Sequence, residues 1–426
     1  MKKKTLWAAT ALMVATVWTG CSNDNNVDEV QLPKQETPTD DFTPEDSCDV
    51  PDFVLTRAEQ QLVAGSNDFA FNLFRRAREE SKSLILSPIS ITYALGMLNN
   101  GAVGETQQQI NNVLGFGTEG ALGINNFCRK MLYCSPRLDS LTKVLISNTI
   151  FINQNRGYTL YPDFVKKAAY YYEATPEARD FNDGKTLDVI NQWASDHTEG
   201  MIEKILNEEE FDPRTVSYLM NAVYFKGEWK HKFDKEATFD LAFEGSNKKV
   251  PTMWMTETLG YADNEDCQVL CMPYGNGAYR MTILLPHKGK SIGDVLKGLT
   301  AESWQNCQNL TETLVNVMLP RFESNTSLRL ERIMSDLGMP LAFDEDAEIT
   351  KMVNRQLYIK LMKQVARIKV DEEGSEAAAV TIINAKDGAG YQEPSYVEFH
   401  ATRPFLYFIS EQSTGAIFFM GQYMGD

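Results

Sequence analysis

The chain has 426 residues, of which 43% are hydrophobic, and its formal net charge at pH 7 is −17. This length and this apolar content are enough for one large domain or two smaller ones with a buried core. The acidic balance argues against a nucleic-acid partner, because proteins bind phosphate backbones mainly through Lys and Arg.

The first twenty residues have the pattern of a secretory signal. A basic start precedes an apolar and small-residue stretch over 5–19, which is too short to span a membrane. Gly20-Cys21 closes this stretch and resembles a bacterial lipobox, although Trp18 stands where leucine is usual. We expect residues 1–20 to be removed and Cys21 to be the acylated first residue of a bacterial lipoprotein. The alternative is an ordinary cleaved signal.

The next segment, 21–53, is polar and acidic and contains four prolines. Such a composition cannot bury a core, so we expect a flexible tether between the lipid anchor and a domain over 54–426. The corresponding location is the bacterial cell envelope: lipid-anchored in the outer membrane, facing the periplasm or the surface. The anchor would then be the only contact with the membrane.

Six cysteines remain after Cys21, too few for a disulfide framework in a chain of this length. Cys128 and Cys134 could bridge, whereas Cys267 and Cys271 lie on one face of a predicted strand but too far apart. We expect most of the six to be free and buried, and their pairing stays open. The six are Cys48, Cys128, Cys134, Cys267, Cys271 and Cys307.

Helical patterns dominate the first half of the domain and strand patterns the second, which favours an α+β fold. An amphipathic helix is predicted to start at a cap formed by Asn67-Asp68. Further helices are predicted over 89–101, 105–114, 161–172, 190–205 and 328–337. Strands are predicted over 84–86, 144–153, 216–225, 241–255, 268–273, 281–285, 314–319, 397–399, 405–410 and 417–422.

The run of acid, glycine and alanine over 370–381 is the most informative stretch. Alanine favours helix, but β-branched residues flank the run on both sides and favour strand. Small side chains would share one strand face as far as Ile383, so the segment could slip between two other strands without displacing a core. The alternative is an acidic turn followed by the start of a helix.

This run closely resembles the hinge of the reactive-centre loop of serpins, the serine-protease inhibitor family, with Ser375 in place of threonine and Val380 in place of alanine. Other blocks in 54–424 resemble the same family in the same order. Among them are Ser87-Pro88-x-Ser90, Asn100-Gly101-Ala102, Asn221-Ala222-x-Tyr224-Phe225-Lys226-Gly227-x-Trp229, Leu319-Pro320-x-Phe322, Arg403-Pro404-Phe405 and Phe419-Met420-Gly421. The resemblance implies a single domain with three β-sheets, eight or nine helices and an exposed reactive-centre loop.

The resemblance also implies suicide-substrate inhibition of serine endopeptidases, with cysteine endopeptidases as a further class. A protease cleaves the loop, and the loop inserts into the main sheet before the acyl-enzyme hydrolyses. A proline or a charge at Ser375 or Ala377 would block insertion, and neither is present. The hinge would comprise Glu372, Glu373, Gly374, Ser375, Glu376, Ala377, Ala378 and Ala379.

The reactive bond sets which protease is inhibited. The family's usual distance past Gly374 places it at Gly388-Ala389. A small residue there suits elastase-like or subtilisin-like proteases, whose pockets are shallow. The alternatives are Lys386 for a trypsin-like protease, Asp387 for an Asp-specific one and Tyr391 for a chymotrypsin-like one.

Two groups of residues match the family positions that control opening of the sheet. Ser87, Ser90 and Asn221 match a polar cluster beneath the sheet, where Gln364 stands in place of a histidine. An amide can both donate and accept, as neutral imidazole does, so we expect function to survive this difference. Trp229 matches the aromatic residue at the point where insertion begins.

No catalytic pattern is visible. The four histidines are scattered, and neither an H-E-x-x-H helix nor a G-x-S-x-G elbow occurs. We therefore expect a monomeric inhibitor without cofactor or metal, not an enzyme. The alternative function is that of a non-inhibitory binding protein with the serpin fold.

Overall fold

The computed structural model describes residues 54–117, 120–375 and 395–426, all within one compact unit. The predicted signal, Cys21, the tether and Cys48 lie outside the described residues. The same holds for the hinge from Glu376 to Ala379 and for every candidate reactive-bond residue: Lys386, Asp387, Gly388, Ala389 and Tyr391.

The described residues form nine α-helices, and none of these helices is long and apolar enough to cross a lipid bilayer. They are α1 (Arg57–Ala77), α2 (Pro88–Asn99), α3 (Gly104–Val113), α4 (Gly120–Cys134), α5 (Pro162–Tyr172), α6 (Thr186–His197), α7 (Ile292–Gly298), α8 (Ala301–Asn306) and α9 (Glu331–Leu337).

The first helix starts earlier than predicted. Thr56 is its N-cap and forms a capping box with Glu59, in which each side chain accepts a hydrogen bond from the other residue's backbone N–H. Asn67 therefore lies inside α1, where its side chain bonds the backbone of Gly415 and Ile417 instead of capping a helix. The predicted cap at Asn67-Asp68 is wrong because the capping box at Thr56 already satisfies the free amides.

Helix α4 was not predicted, and it decides the pairing of two cysteines. Cys128 is free and buried, whereas Cys134 is disulfide-bonded, so the proposed bridge between them is absent. Six helical positions separate them by about 9 Å along the axis, which exceeds the reach of a disulfide. Cys267 and Cys271 are free and buried, and Cys307 is free and partly exposed.

Fifteen strands lie within the described residues. They are β1 (Leu84–Leu86), β2 (Thr142–Asn153), β3 (Glu177–Arg179), β4 (Ser217–Glu228), β5 (Phe239–Ala242), β6 (Lys249–Asp263), β7 (Cys267–Tyr274), β8 (Tyr279–Pro286), β9 (Thr311–Pro320), β10 (Phe322–Arg329), β11 (Leu361–Val370), β12 (Gly374–Ser375), β13 (Val397–His400), β14 (Phe405–Glu411) and β15 (Ile417–Tyr423). The helix predicted over 328–337 is shorter than expected, because β10 continues to Arg329.

The strands form a nine-stranded and a six-stranded sheet. The nine-stranded ladder runs β1-β15-β14-β8-β7-β6-β9-β13, with β5 also paired to β6. Two of the three expected sheets are joined here because the long strand β6 pairs with β9 over Thr252–Tyr261 and with β7 over Gly260–Asp263. The six-stranded sheet runs β10-β11-β4-β2-β3, with β12 also paired to β4. The fold is α+β, as predicted.

The six-stranded sheet buries both faces in its centre. Along β4, Leu219, Val223 and Phe225 point into the large core shared with the other sheet. The alternate residues Tyr218, Met220 and Ala222 belong to a smaller cluster beneath α6. We call these the core face and the α6 face of the sheet.

Candidate functional site at the hinge and the strand gap

A gap opens between β4 and β11 at one end of the six-stranded sheet. The two strands are parallel and pair over Tyr218–Tyr224 and Leu361–Arg367. Both continue beyond these ranges, to Glu228 and Val370, without pairing with each other. The short strand β12 takes the free edge of β4, where it pairs antiparallel. Gly374 and Ser375 of the predicted hinge therefore already lie in the sheet.

A tight turn joins β11 to β12. The Asp371 N–H donates to the Gly374 carbonyl at 2.9 Å, and Gly374 has φ 135°. A Cβ at Gly374 would lie 2.2 Å from the Gly227 carbonyl oxygen and 2.6 Å from Cα of Glu228. Glycine is thus required both by the left-handed backbone and by the close approach to β4.

Trp229 holds this turn in place by two hydrogen bonds. Its ring stacks on Tyr274, with the centroids 4.3 Å apart and the planes at 12°. The indole Nε1–H donates to the Asp371 carbonyl at 2.9 Å, and the Trp229 backbone N–H donates to the Glu373 carbonyl at 2.9 Å. Trp229, predicted to stand where insertion begins, contacts both sides of the turn.

Glu372 is buried at 2% exposure and is held from two directions. Its Oε1 forms an ion pair with Arg321 and accepts a hydrogen bond from Thr238 Oγ1 at 2.5 Å. Burial acts to raise the pKa of this carboxyl, but the bonds from Arg321 and Thr238 outweigh burial and leave the pKa below its ordinary value. Glu372 therefore carries its charge at neutral pH.

Glu373 is held by two lysines that follow β4. Lys235 Nζ lies 2.6 Å from its carboxylate and Lys232 Nζ lies 3.3 Å away. Lys232 also contacts Glu228 at 2.8 Å, so it ties the hinge to the end of β4. The hydrogen bond to Glu373 raises the pKa of Lys235. Together with Arg321, these cations neutralise the two hinge carboxylates.

The polar cluster beneath the sheet spans the β4–β11 pair. Gln364 on β11 accepts from the Ser87 N–H at 3.0 Å and donates to the Ser87 carbonyl at 3.0 Å and to Asn221 Oδ1 at 2.6 Å. Asn221 Nδ2 donates to the Ser90 hydroxyl and to Asn148 Oδ1, the latter at 2.6 Å. The structure thus brings together all four predicted cluster residues and adds Asn148 on β2.

Several residues of this site were not found from the sequence. Three of them follow β4 within 232–238, and the other three come from distant parts of the chain, so only the fold brings the six together. They are Asn148, Lys232, Lys235, Thr238, Tyr274 and Arg321. Asn148 had one signal in the sequence, because it is a polar residue inside a β-rich run. The structure shows that its register partner is Asn221.

Comparison with known proteins agrees with this architecture. The family model described as Serpin (serine protease inhibitor) matches residues 64–425. The chain belongs to the serpin family. Human Serpin B8 is 33% identical over 375 residues, covering 85% of this chain and 98% of the relative. An uncharacterised serpin-like protein of Thermococcus kodakarensis is 31% identical over 373 residues, covering 86% of each chain.

Solved serpin structures show the same fold. The native state of tengpin, a thermophilic serpin, superimposes with a TM-score of 0.79 at 29% identity, covering 88% of this chain and 96% of tengpin. Human thyroxine-binding globulin in complex with thyroxine superimposes with a TM-score of 0.77 at 24% identity, covering 86% of this chain and 98% of that protein. Serpins are most often protease inhibitors rather than catalysts, and some members are non-inhibitory.

Proposed function

We propose that this protein is a suicide-substrate inhibitor of serine endopeptidases, with cysteine endopeptidases as a further class. The observation that carries the proposal is the pairing of Gly374 and Ser375 with the free edge of β4, next to the end of β11 that does not pair with β4. The hinge occupies the first positions of a strand that would extend between β4 and β11 as the pairing of these two strands is broken.

The register of this pairing defines how far the strand can grow. Gly374 pairs with Glu228 and Ser375 with Gly227, so each further residue would pair one position earlier along β4. β4 has 12 residues, and Ala385 would reach its first residue, Ser217. An inserted segment of this length spans about 40 Å. A bond at any of the four candidate positions would follow Ala385 and would leave this whole segment free to insert.

Continued along β4, the same register would place the small side chains of the inserted segment against the core. Residues directly opposite in an antiparallel pair share one face, and odd-numbered residues of β4 point to the core face. Ser375, Ala377, Ala379 and Thr381 would therefore point inward. The charged Glu376 would point to the opposite face. A strand with this pattern can be inserted without displacing the packed core.

Insertion would lower the free energy of the cleaved chain substantially. Twelve residues paired on both sides, at about 0.5–1.5 kcal/mol for each hydrogen bond, would gain on the order of 10 kcal/mol. The uncleaved form would therefore be kinetically trapped. Parting β4 from β11 would also break the 2.6 Å bond between Gln364 and Asn221, so the polar cluster resists opening.

The test is incubation with elastase-like, trypsin-like and chymotrypsin-like proteases, followed by denaturing gel electrophoresis. We expect a covalent complex that survives denaturation, and mass spectrometry should find a released C-terminal peptide that starts at Ala389. A different first residue would move the bond to Lys386, Asp387 or Tyr391 and keep the mechanism.

A matched pair of hinge variants tests the insertion step. Ala377→Arg should abolish the complex while the loop is still cleaved, because the charge would enter the core face. Glu376→Arg adds the same side chain one position earlier, on the opposite face, and should retain most of the complex. Equal complex formation by the two variants would contradict the proposed register.

The alternative is a non-inhibitory binding protein with the same fold. It would be supported if all three protease classes cleave the unmodified loop and none is trapped. If the unmodified chain is cleaved by all three protease classes and forms no covalent complex with any of them, the inhibitor proposal is refuted.

We also propose that Cys21 carries a lipid anchor in a bacterial cell envelope, on the basis of the sequence pattern at Gly20-Cys21. Mass spectrometry of the N-terminal peptide of the exported protein should show a lipid modification, and Cys21→Ser should release the protein from the membrane fraction. An unmodified N-terminus elsewhere would support an ordinary cleaved signal.

A further inference from the structure

The segment 198–216, which connects α6 to β4, lies on the α6 face of the six-stranded sheet. We call it the crossover segment. Its apolar residues Ile202, Ile205 and Leu206 are buried in one cluster with residues of both β4 and β11, such as Met220 and Val365. The segment therefore packs on both sides of the boundary where the hinge strand would insert.

A buried ion pair joins the crossover segment to β11. Lys363 is 5% exposed, and its Nζ lies 2.7 and 2.6 Å from the two carboxylate oxygens of Glu210. The side chain of Glu210 is 18% exposed. A charge pair this far from water is screened little by salt, and removal of one partner leaves the other charge uncompensated.

Glu210 is oriented within the crossover segment. Its backbone N–H donates to Asn207 Oδ1 at 2.9 Å, and its carboxylate accepts from the Asn207 N–H at 3.1 Å. The Tyr218 hydroxyl accepts from the Asp212 N–H at 2.8 Å and so attaches the end of the segment to β4. The segment is thus fixed to β4 by its chain connection and to β11 by Lys363.

A second cation on β11 contacts the same segment. Arg367, four residues after Lys363 on the same strand face, donates from Nη1 to the Met201 carbonyl at 3.3 Å. Its Nε donates to Glu323 on β10 at 2.8 Å, which holds the guanidinium in place. Lys363, Glu210, Arg367 and the Met201 carbonyl together form what we call the clasp.

The clasp bridges the boundary that loop insertion must open. Lys363 lies directly opposite Met220 in the parallel β4–β11 register. A strand inserted between them would move β11 away from β4 by about 4.8 Å, the ordinary spacing of neighbouring strands. The contacts from Lys363 to Glu210 cannot survive this movement unless the crossover segment leaves β4.

We propose that the clasp, with Lys363 as its main residue, sets the rate at which the six-stranded sheet opens for the hinge strand. The inference rests on the proposed inhibitory function and adds a rate-controlling residue to it. Lys363 acts as a positioning residue through Glu210 and contacts neither the loop's reactive bond nor the protease.

The experiment measures sheet opening without any target protease. A synthetic peptide with the sequence of residues 374–385 is added to the full-length protein, and native mass spectrometry follows its incorporation over time. Lys363→Met and Glu210→Gln should each accelerate incorporation about tenfold, whereas the exchange Lys363→Glu with Glu210→Lys should restore a rate near that of the unmodified chain.

Arg329→Met is the matched control. Arg329 lies opposite Lys363 in the β10–β11 register, but its ion-pair partner is Glu331 of α9, outside the crossover segment. We expect this variant to incorporate the peptide at the unmodified rate. Amide hydrogen exchange over 201–212 should increase in Lys363→Met and stay unchanged in Arg329→Met.

The possible failures are distinguishable. Equal incorporation rates in Lys363→Met and the unmodified chain, with unchanged exchange over 201–212, would overturn the clasp and leave the inhibitory function standing. Equal acceleration in Arg329→Met would also overturn the clasp. It would show that loss of any cation near β11 accelerates incorporation of the peptide. No incorporation by any variant, together with no protease complex, would overturn the proposed function and with it the role of the clasp.

Discussion

Glu372 retains its charge at a buried position because two groups from separate parts of the chain meet it there. The ion pair with Arg321 and the hydrogen bond from Thr238 hold its pKa below the ordinary value, against the opposing effect of burial. The turn that carries the hinge is therefore stabilised by a charge that depends on pH.

The stability of the hinge should fall in acid. A carboxyl whose pKa is lowered in the folded state stabilises that state above its unfolded pKa, about 4.3 for Glu, and loses this contribution as the pH falls through the folded pKa. We expect the free energy of unfolding, measured in urea between pH 7 and pH 3, to fall less steeply in Glu372→Gln. At pH 7 this variant should already be less stable by about 1–3 kcal/mol. An unchanged pH profile would contradict the assignment.

The polar cluster beneath the sheet leads to a second residue-scale prediction. Gln364→Leu would leave the Ser87 N–H, the Ser87 carbonyl and Asn221 Oδ1 without their bonds from this side chain, at about 1–3 kcal/mol for each buried group. Gln364→His keeps one donor and one acceptor and should lose less than half as much. Urea unfolding of the two variants provides the comparison, and equal losses would show that side-chain volume matters more than hydrogen bonding.

At the scale of elements, the short strand β12 depends on a single glycine. Gly374→Ala would place a methyl group against the Gly227 carbonyl in a left-handed backbone, which costs on the order of 1–3 kcal/mol. We expect β12 to leave the edge of β4, and amide hydrogen exchange at Gly227 and Glu228 to increase. Gly298→Ala, where no atom lies within 4 Å of the new Cβ, is the control and should leave exchange at β4 unchanged.

The sequence predicted most elements but missed those whose signals are tertiary. An amide before an apolar run resembles a cap, which predicts the start of α1 at Asn67, yet the capping box at Thr56 lies eleven residues further upstream. Helix α4 has a weak local signal, because it begins at Gly120 and contains a second glycine in its first turn, and glycine is a poor helix former. The prediction of the hinge over 372–379 rests on acidic and small residues that form a continuous local pattern.

The partners of that turn could not be predicted in the same way. Nothing in the sequence distinguishes the three cations from other exposed Lys and Arg residues: they are Arg321, Lys232 and Lys235. Only in the folded chain do β10 and the segment after β4 bring them next to the hinge carboxylates. Lys363 had no signal either, since its burial depends on Glu210, 153 residues away.

For the whole molecule, the proposal predicts that cleavage of the loop stabilises the domain. A gain on the order of 10 kcal/mol should raise the melting temperature by at least about 10 °C, because the unfolding entropy of a domain of about 370 residues corresponds to a shift of roughly 1.3 °C for each kcal/mol. Differential scanning calorimetry before and after limited proteolysis measures the change. Ala377→Arg, cleaved in the same way, is the control and should show little increase.

An unchanged melting temperature in the cleaved, unmodified chain would favour the binding-protein alternative. The fold alone does not distinguish an inhibitor from a binding protein, because thyroxine-binding globulin has the same fold. The difference lies in whether the residues after Ser375 can enter the sheet.

The stacking of Trp229 on Tyr274 gives the protein a built-in optical signal. The indole contacts the Asp371 carbonyl directly, so its emission responds to the turn that must rearrange when the strand grows. Trp304, buried against Phe71 and Phe408, and the exposed Trp254 contribute constant background. Trp193 of α6 packs on Phe151 of β2, so its signal is removed by the comparison with a variant that lacks only Trp229. Stopped-flow fluorescence of a Trp229→Phe variant against the unmodified chain would therefore time the movement of the hinge without any attached dye.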